Sequence, residues 1–198
     1  MKKIKINPKK ITKDEINLII NYFKHGKVIV YPTDTIYGLG CLATDKKAIK
    51  KIFRIKGREK RKPLLILISD FKMLKKYCRI SKGQEKFLAK AWKDRRATSV
   101  ILKKKGNLPP ELTAGQKTVA VRLPKNRFLI KILNGISQPI VSTSLNLSGQ
   151  KSLDSVSRLD NYFKKGKPDL VIDAGAIRNR PSRLVDMTNL DDVRILRK

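Results

Sequence analysis

Cysteine and histidine are nearly missing from this chain, at two and one among 198 residues. Cys41 and Cys78 lie far apart, in no CxxC and beside no histidine, so neither a disulfide framework nor a zinc centre is supported. Ordinary free thiols are expected. The lone His25 falls at the end of the first expected helix, beside Gly26, where a cation suits the helix dipole; no catalytic role is expected of it. Long apolar runs are lacking too. "LLILI" at 64–68 is far short of the ~20 residues that span a bilayer. The basic start "MKKIKINPKK" has none of the roughly 7–15 consecutive apolar residues of an export signal. No membrane partner and a cytoplasmic location are therefore expected. GxxxxGK[ST], GxGxxG and GxSxG are absent as well, so any nucleotide chemistry must use another kind of site.

Acidic residues are scarce against what is abundant: 47 Lys and Arg face 16 Asp and Glu, leaving +31. Self-repulsion of that size is relieved beside a polyanion, which makes nucleic acid the natural partner. The lysines are spread along the whole chain, so a genome-wide compositional bias stays open as the other reading. Hydrophobic content of 40% supports one substantial core.

Thr12 with Glu15 forms a capping-box pattern, and Ile16, Ile19, Ile20 and Phe23 follow on one face before Gly26. Asp45, Asp70 and Ser81 read as caps of three more helices. Pro124 suits the first turn of a helix containing Phe128, Leu129, Ile132 and Leu133, and another helix is expected over 153–165. Strands are expected at 28–31, 64–68, 98–103 and 118–123, then in "PIVSTS", "LVID", "RLVDM" and "VRIL", with a Pro/Gly loop at 106–116. Helices and strands intersperse with no dividing linker. The fold class is α/β: a single domain over 1–198 with a twisted, mostly buried mixed sheet flanked by helices.

Four polar stretches interrupt these strands, where α/β proteins tend to place ligands. "PTDTIYGLG" (32–40) follows a buried strand. "KGREKRKPL" (56–64) places Lys56, Arg58 and Lys62 ahead of one, as a polyphosphate clamp or a solvated basic loop. In "TVAVRLP" (118–124), Arg122 lies in an apolar run and binds either an acidic ligand or a structural carboxylate. In "VSTSLNLSG" (141–149), Ser142, Ser144 and Asn146 alternate onto one side of an extended segment, unless they are turn formers.

Together, "YPTDTIYGLG", "KGREKRKPL", "TVAVRLP", "STSLNLSG" and "RPSRLVD", in this order, resemble the YrdC-like family of threonylcarbamoyl-AMP synthases, over about residues 12–198. That resemblance implies a concave, positively lined cavity. It also implies condensation of L-threonine, bicarbonate or CO2 and ATP to threonylcarbamoyl-AMP and pyrophosphate, assisted by Mg2+, for t6A37 modification of tRNA with partner proteins. By the same resemblance Thr35, Thr33 and Tyr37 belong to the threonine pocket, with Arg122 on the carboxylate and Ser144 and Ser182 as further contacts. Lys56, Arg58, Lys62, Thr118, Asn146 and Arg197 match ATP-binding positions, Lys56 and Arg58 with a catalytic role. No protein metal ligand is implied. Two features depart from the family pattern. "WKDRRATSVIL" keeps Trp92 and Thr98 but replaces a Trp-Pro-Gly-Pro string, and Leu145 stands where Ala is usual. The resemblance stops short of the additional C-terminal domain of longer members. A rival reading is a YrdC-like RNA-binding or ribosome-associated protein without synthesis, which the altered loop and the +31 charge suit.

Overall fold

A computed structural model describes residues 1–190 and 192–197. Local sequence signals set most helix starts. Helix α1 (Lys13–Lys24) opens on a full capping box, in which Glu15 N donates to Thr12 Oγ1 at 3.2 Å and Thr12 N donates to Glu15 Oε2 at 2.8 Å. Helix α2 (Lys46–Lys56) is capped by Asp45, which accepts from Ala48 N at 2.9 Å, and closes on Gly57 at φ 58°. Asp70 and Ser81 cap α3 (Phe71–Tyr77) and α4 (Lys82–Lys93). A single turn, α5 (Pro110–Thr113), lies inside the expected loop.

Two helices differ from expectation. Helix α6 (Arg127–Ile136) starts beyond Pro124, because Asn126 takes the cap by accepting from Phe128 N at 2.9 Å. The helix expected over 153–165 shrinks to α7 (Leu159–Tyr162). Ahead of it, Ser155 Oγ bonds Ser157 N and Oγ at 3.2 and 3.0 Å, a local side-chain arrangement that competes with helix.

The strands are β1 (Lys2–Lys5), β2 (Ile29–Tyr31), β3 (Gly38–Gly40), β4 (Leu65–Leu67), β5 (Thr98–Lys103), β6 (Thr118–Arg122), β7 (Ile140–Ser144), β8 (Leu170–Asp173), β9 (Arg183–Asp186) and β10 (Arg194–Arg197). They form one mixed sheet in the order β1-β8-β2-β3-β7-β4-β6-β5-β9-β10. Neither β1 nor β3 carries a strand signature: "KKIK" is mostly charged and "GLG" has one side chain. Strand β3 exists because β2 and β7 bond it from both sides. Its glycines are steric requirements. A Cβ on Gly40 would lie 2.0 Å from the Val141 carbonyl oxygen and 2.7 Å from Tyr31 Oη.

Apolar residues cover both faces of the sheet. On one, Ile29, Tyr31 and Ile140 pack with Ile19 and Phe23 of α1 and with the apolar face of α6. On the other, Val30, Leu39, Ile66 and Val141 pack with α2, α3 and α4. This two-sided burial explains why the central strands read as continuous apolar runs. Both cysteines are buried free thiols; burial pushes Cys78 up to about 12 and Cys41 well above the ordinary thiol value. Among the described residues no helix is long and apolar enough to cross a membrane.

Candidate active site

The β2–β3 connection, residues 32–37, is where the first polar stretch becomes geometry. Thr33 organises it: its hydroxyl donates to Ile36 O at 2.7 Å and accepts from Thr35 N at 3.0 Å and Ile36 N at 3.2 Å. Thr35 is thereby presented to Arg122 at the end of β6, whose Nη1 donates to Thr35 Oγ1 at 2.9 Å. The other arm, Nη2, donates to Asp34 Oδ1 at 2.5 Å. This ion pair is almost wholly buried, with side-chain exposures of 7% and 14%. Asp34 Oδ2 and Arg122 Nε are buried without a hydrogen-bond partner.

A cavity of about 300 Å³ opens against this loop. Thr33, Thr35 and Tyr37 line it on one side and Ser142, Thr143 and Ser144 of β7 on another, with Arg58, Arg122, Ser182 and Arg197 around the rest. Adjacent strands explain the convergence, since Gly38 pairs with Ser144 and Leu67 with Arg122. Ser182 precedes β9, which runs parallel to β5, and its Oγ meets Ser99 Oγ at 2.8 Å. Arg197 brings Nε and Nη2 to the Ser182 carbonyl at 3.0 and 2.8 Å. Burial lowers the pKa values of Arg58 and Arg197, the nearby Arg122 charge adding to the effect at Arg197. An anion entering the cavity relieves both costs.

Several expected contacts sit elsewhere. Lys56 is buried and faces away from the cavity: Nζ donates to Ser144 O at 2.5 Å, Asn146 O at 2.8 Å and Asn146 Oδ1 at 2.8 Å. All three ammonium hydrogens are thus engaged, and the group fastens the turn after β7 rather than pointing at a phosphate. Burial, with the Arg58 charge adding, draws Lys56 down to about 7. Asn146 is buried in the same network, accepting from Ser144 Oγ at 2.6 Å and donating to Gln150 O at 2.5 Å. Lys62 is exposed and pairs with Glu59 at 2.7 Å. Thr118 lies opposite Lys103 at the far end of β6, outside the cavity lining. The Tyr37 hydroxyl is engaged too, donating to Gly175 O at 2.7 Å and accepting from Ala174 N at 2.8 Å.

Sequence reasoning left Asp34 and Ser99 unassigned. Asp34 was legible only as part of an unusual string; a carboxylate between two threonines beside a buried arginine was the available signal. Ser99 had none, since its partner Ser182 is 83 residues away.

Known proteins resemble the chain in sequence and in fold. The sequence profile of the Sua5/YciO/YrdC family, described as telomere recombination, matches residues 21–198. A threonylcarbamoyl-AMP synthase of Pyrococcus abyssi is 34% identical over 175 residues, 88% of this chain and 51% of that protein. The enzyme of the same name from Buchnera aphidicola is 34% identical over 165 residues, 82% of this chain and 93% of that one. The crystal structure of P. abyssi Sua5 complexed with L-threonine superposes with a TM-score of 0.81 at 31% identity, covering 93% of this chain and 53% of the other. The chain thus spans about half the length of its P. abyssi relative and nearly all of its Buchnera one. Sequence and fold lead to one conclusion: the chain belongs to the Sua5/YciO/YrdC family.

Proposed function

We propose that this chain is a threonylcarbamoyl-AMP synthase, supplying the activated group for t6A37 modification of tRNA through partner proteins that accept the adenylate. The observation that carries the reading is the cavity in which the Thr35–Arg122 pair faces Arg58 and Arg197. It offers a carboxylate and hydroxyl site beside a cationic one, which suits an amino acid next to a nucleotide. The names of the relatives, and the threonine in the P. abyssi crystal, support the same choice.

In this mechanism Arg122 holds the threonine carboxylate, and Thr35, Ser144 and Ser182 orient the amino acid. The threonine amine adds to CO2 and loses a proton, giving a carbamate; bicarbonate enters the same route with loss of water. A carbamate oxygen attacks the α-phosphorus of ATP, the new P–O bond forms, and the bond to the bridging oxygen breaks to release pyrophosphate. The nucleophile is already anionic, so positioning and charge neutralisation suffice. Arg58 and Arg197 face the phosphates, Arg58 being held from behind by the carbonyls of Lys62 and Pro63 at 3.2 and 2.9 Å. Mg2+ accompanies ATP as its counter-ion. Among the described residues no group of three or more His, Cys, Asp or Glu could hold a metal ion; Mg2+ would come with the ATP phosphates and neutralise their charge. Lys56 acts indirectly, through the Ser144–Asn146 turn.

The test incubates purified protein with ATP, Mg2+, bicarbonate and each amino acid in turn. Pyrophosphate is expected with threonine alone. Arg58→Ala is expected to lower turnover severely, and Arg122→Ala to raise the threonine requirement. No release with any amino acid, alongside salt-sensitive RNA binding, supports instead the reading of a non-catalytic RNA-binding relative. Release unchanged in both variants removes the roles given to the two arginines.

A further inference from the structure

A second, larger hollow of about 870 Å³ lies behind the β2–β3 loop. It is bounded by Asn7, Pro8, Lys9 and Ile11 ahead of α1, by the start of α6 from Lys125 to Lys131, and by Asp34 and Ala174. Thr33 and Thr35 line the first cavity while Asp34, between them, lines this one, so the two share a wall one residue thick.

Its charge is one-sided. Lys9, Lys125, Arg127 and Lys131 are all exposed, and none forms an ion pair among the described residues. The only carboxylate in the lining, Asp34, is already neutralised by Arg122. The positive end of the α6 macrodipole opens into the same space, with the cap Asn126 and with Arg127 and Phe128 of the first turn in the lining. Four long, independently rotating cations around an open cleft do not converge as a site for one small anion would. They suit a series of phosphates. The one aromatic ring in the lining, Phe128, is buried at 1% exposure, so no platform is offered for stacking bases.

We infer that this cleft binds the phosphate backbone of a nucleic acid, without reading its sequence. The chemistry is that of any polynucleotide; the choice of RNA rests on the proposed function. Counterion release supplies the test, because each phosphate contact adds about 0.7 for a single strand and about 0.9 for a duplex to the slope of log affinity against log salt. Four contacts contribute about 3, equivalent to an extra loss of about 50-fold between 50 and 200 mM salt.

The experiment measures fluorescence anisotropy of a labelled RNA hairpin, a scrambled hairpin and a DNA hairpin across that salt range, with no ATP or threonine present. Three proteins are compared. One is the wild type; the second carries Lys9→Gln, Lys125→Gln, Arg127→Gln and Lys131→Gln. The third, matched in charge, carries Lys47→Gln, Lys86→Gln, Lys90→Gln and Lys93→Gln on α2 and α4, which pack on the other face of the sheet. The expected result is a slope about 3 shallower in the cleft variant alone, with little difference between the RNA hairpins. RNA bound more tightly than DNA supports RNA as the ligand, and equal binding supports the cleft while removing that choice. Equal loss in both variants, or no binding by the wild type, overturns the inference. If the fourfold cleft variant does not fold, Lys9→Gln and Lys131→Gln singly must each lower the slope by about 0.7 to 0.9. Since the pyrophosphate assay contains no RNA, failure of either reading leaves the other standing.

Discussion

Removing the Asp34 carboxylate tests the centre of the site most directly. Asp34→Ala leaves the Arg122 guanidinium, on a side chain only 7% exposed, with Thr35 Oγ1 as its remaining partner. Taking one member from a buried pair costs about 3–5 kcal/mol, because the other charge stays desolvated. For a chain of this size that is a fall in Tm of about 6–20 °C. Asp34→Asn keeps an oxygen to accept from Nη2 and is expected to fall less. The decisive measurement is Tm with and without saturating threonine. A substrate carboxylate on Arg122 supplies the missing counter-charge, so threonine should raise Tm more in Asp34→Ala than in the wild type. A Tm within about 1 °C of wild type, with an identical response to threonine, would show that the pair contributes nothing to the empty site and refute the reasoning.

Two further substitutions separate position from charge and from space. Lys56→Met removes three hydrogen bonds and a buried charge together, so urea unfolding near neutral pH should change by about 1 kcal/mol or less, while pyrophosphate release should fall at least about 100-fold as Ser144 loses its anchor. The same lysine gives a pH signature. Its folded pKa is about 7 against 10.5 ordinarily, so between those values the unfolded chain holds the extra proton and stability rises with pH. Relative to Lys56→Met, the wild type should gain about 2.5 kcal/mol from pH 6.5 to 9, and a constant difference would contradict the assignment. Gly40→Ala drives a methyl group into the Val141 carbonyl and should destabilise the protein by about 3 kcal/mol or more, seen as a lowered urea midpoint or insoluble expression.

How far the sequence alone reaches depends on the range of the interaction. The capping box of Thr12 and Glu15, the Asp45 and Asp70 caps and the β-branched run of β2 are set within a few residues, and all appear where expected. Strand β3 was hidden because its neighbours, not its own residues, make it a strand. At the site, the motifs placed Thr35, Arg58, Arg122, Ser144 and Ser182 near one cavity, which the sheet order brings together. Direction was harder to read than position. Lys56 and Arg58 are two residues apart, yet the helix end turns the first into the protein and leaves the second facing the cavity. Nothing local specifies that, because the acceptors for Lys56 arrive from 88 and 90 residues away.

The two buried thiols have a practical consequence. Only the thiolate is nucleophilic, and burial keeps both groups protonated at neutral pH. The native protein is therefore expected to react little with maleimide reagents. A single cysteine placed at an exposed position, such as the rim of the basic cleft, would take a spin label or fluorophore selectively, with both native cysteines left in the core they help to fill.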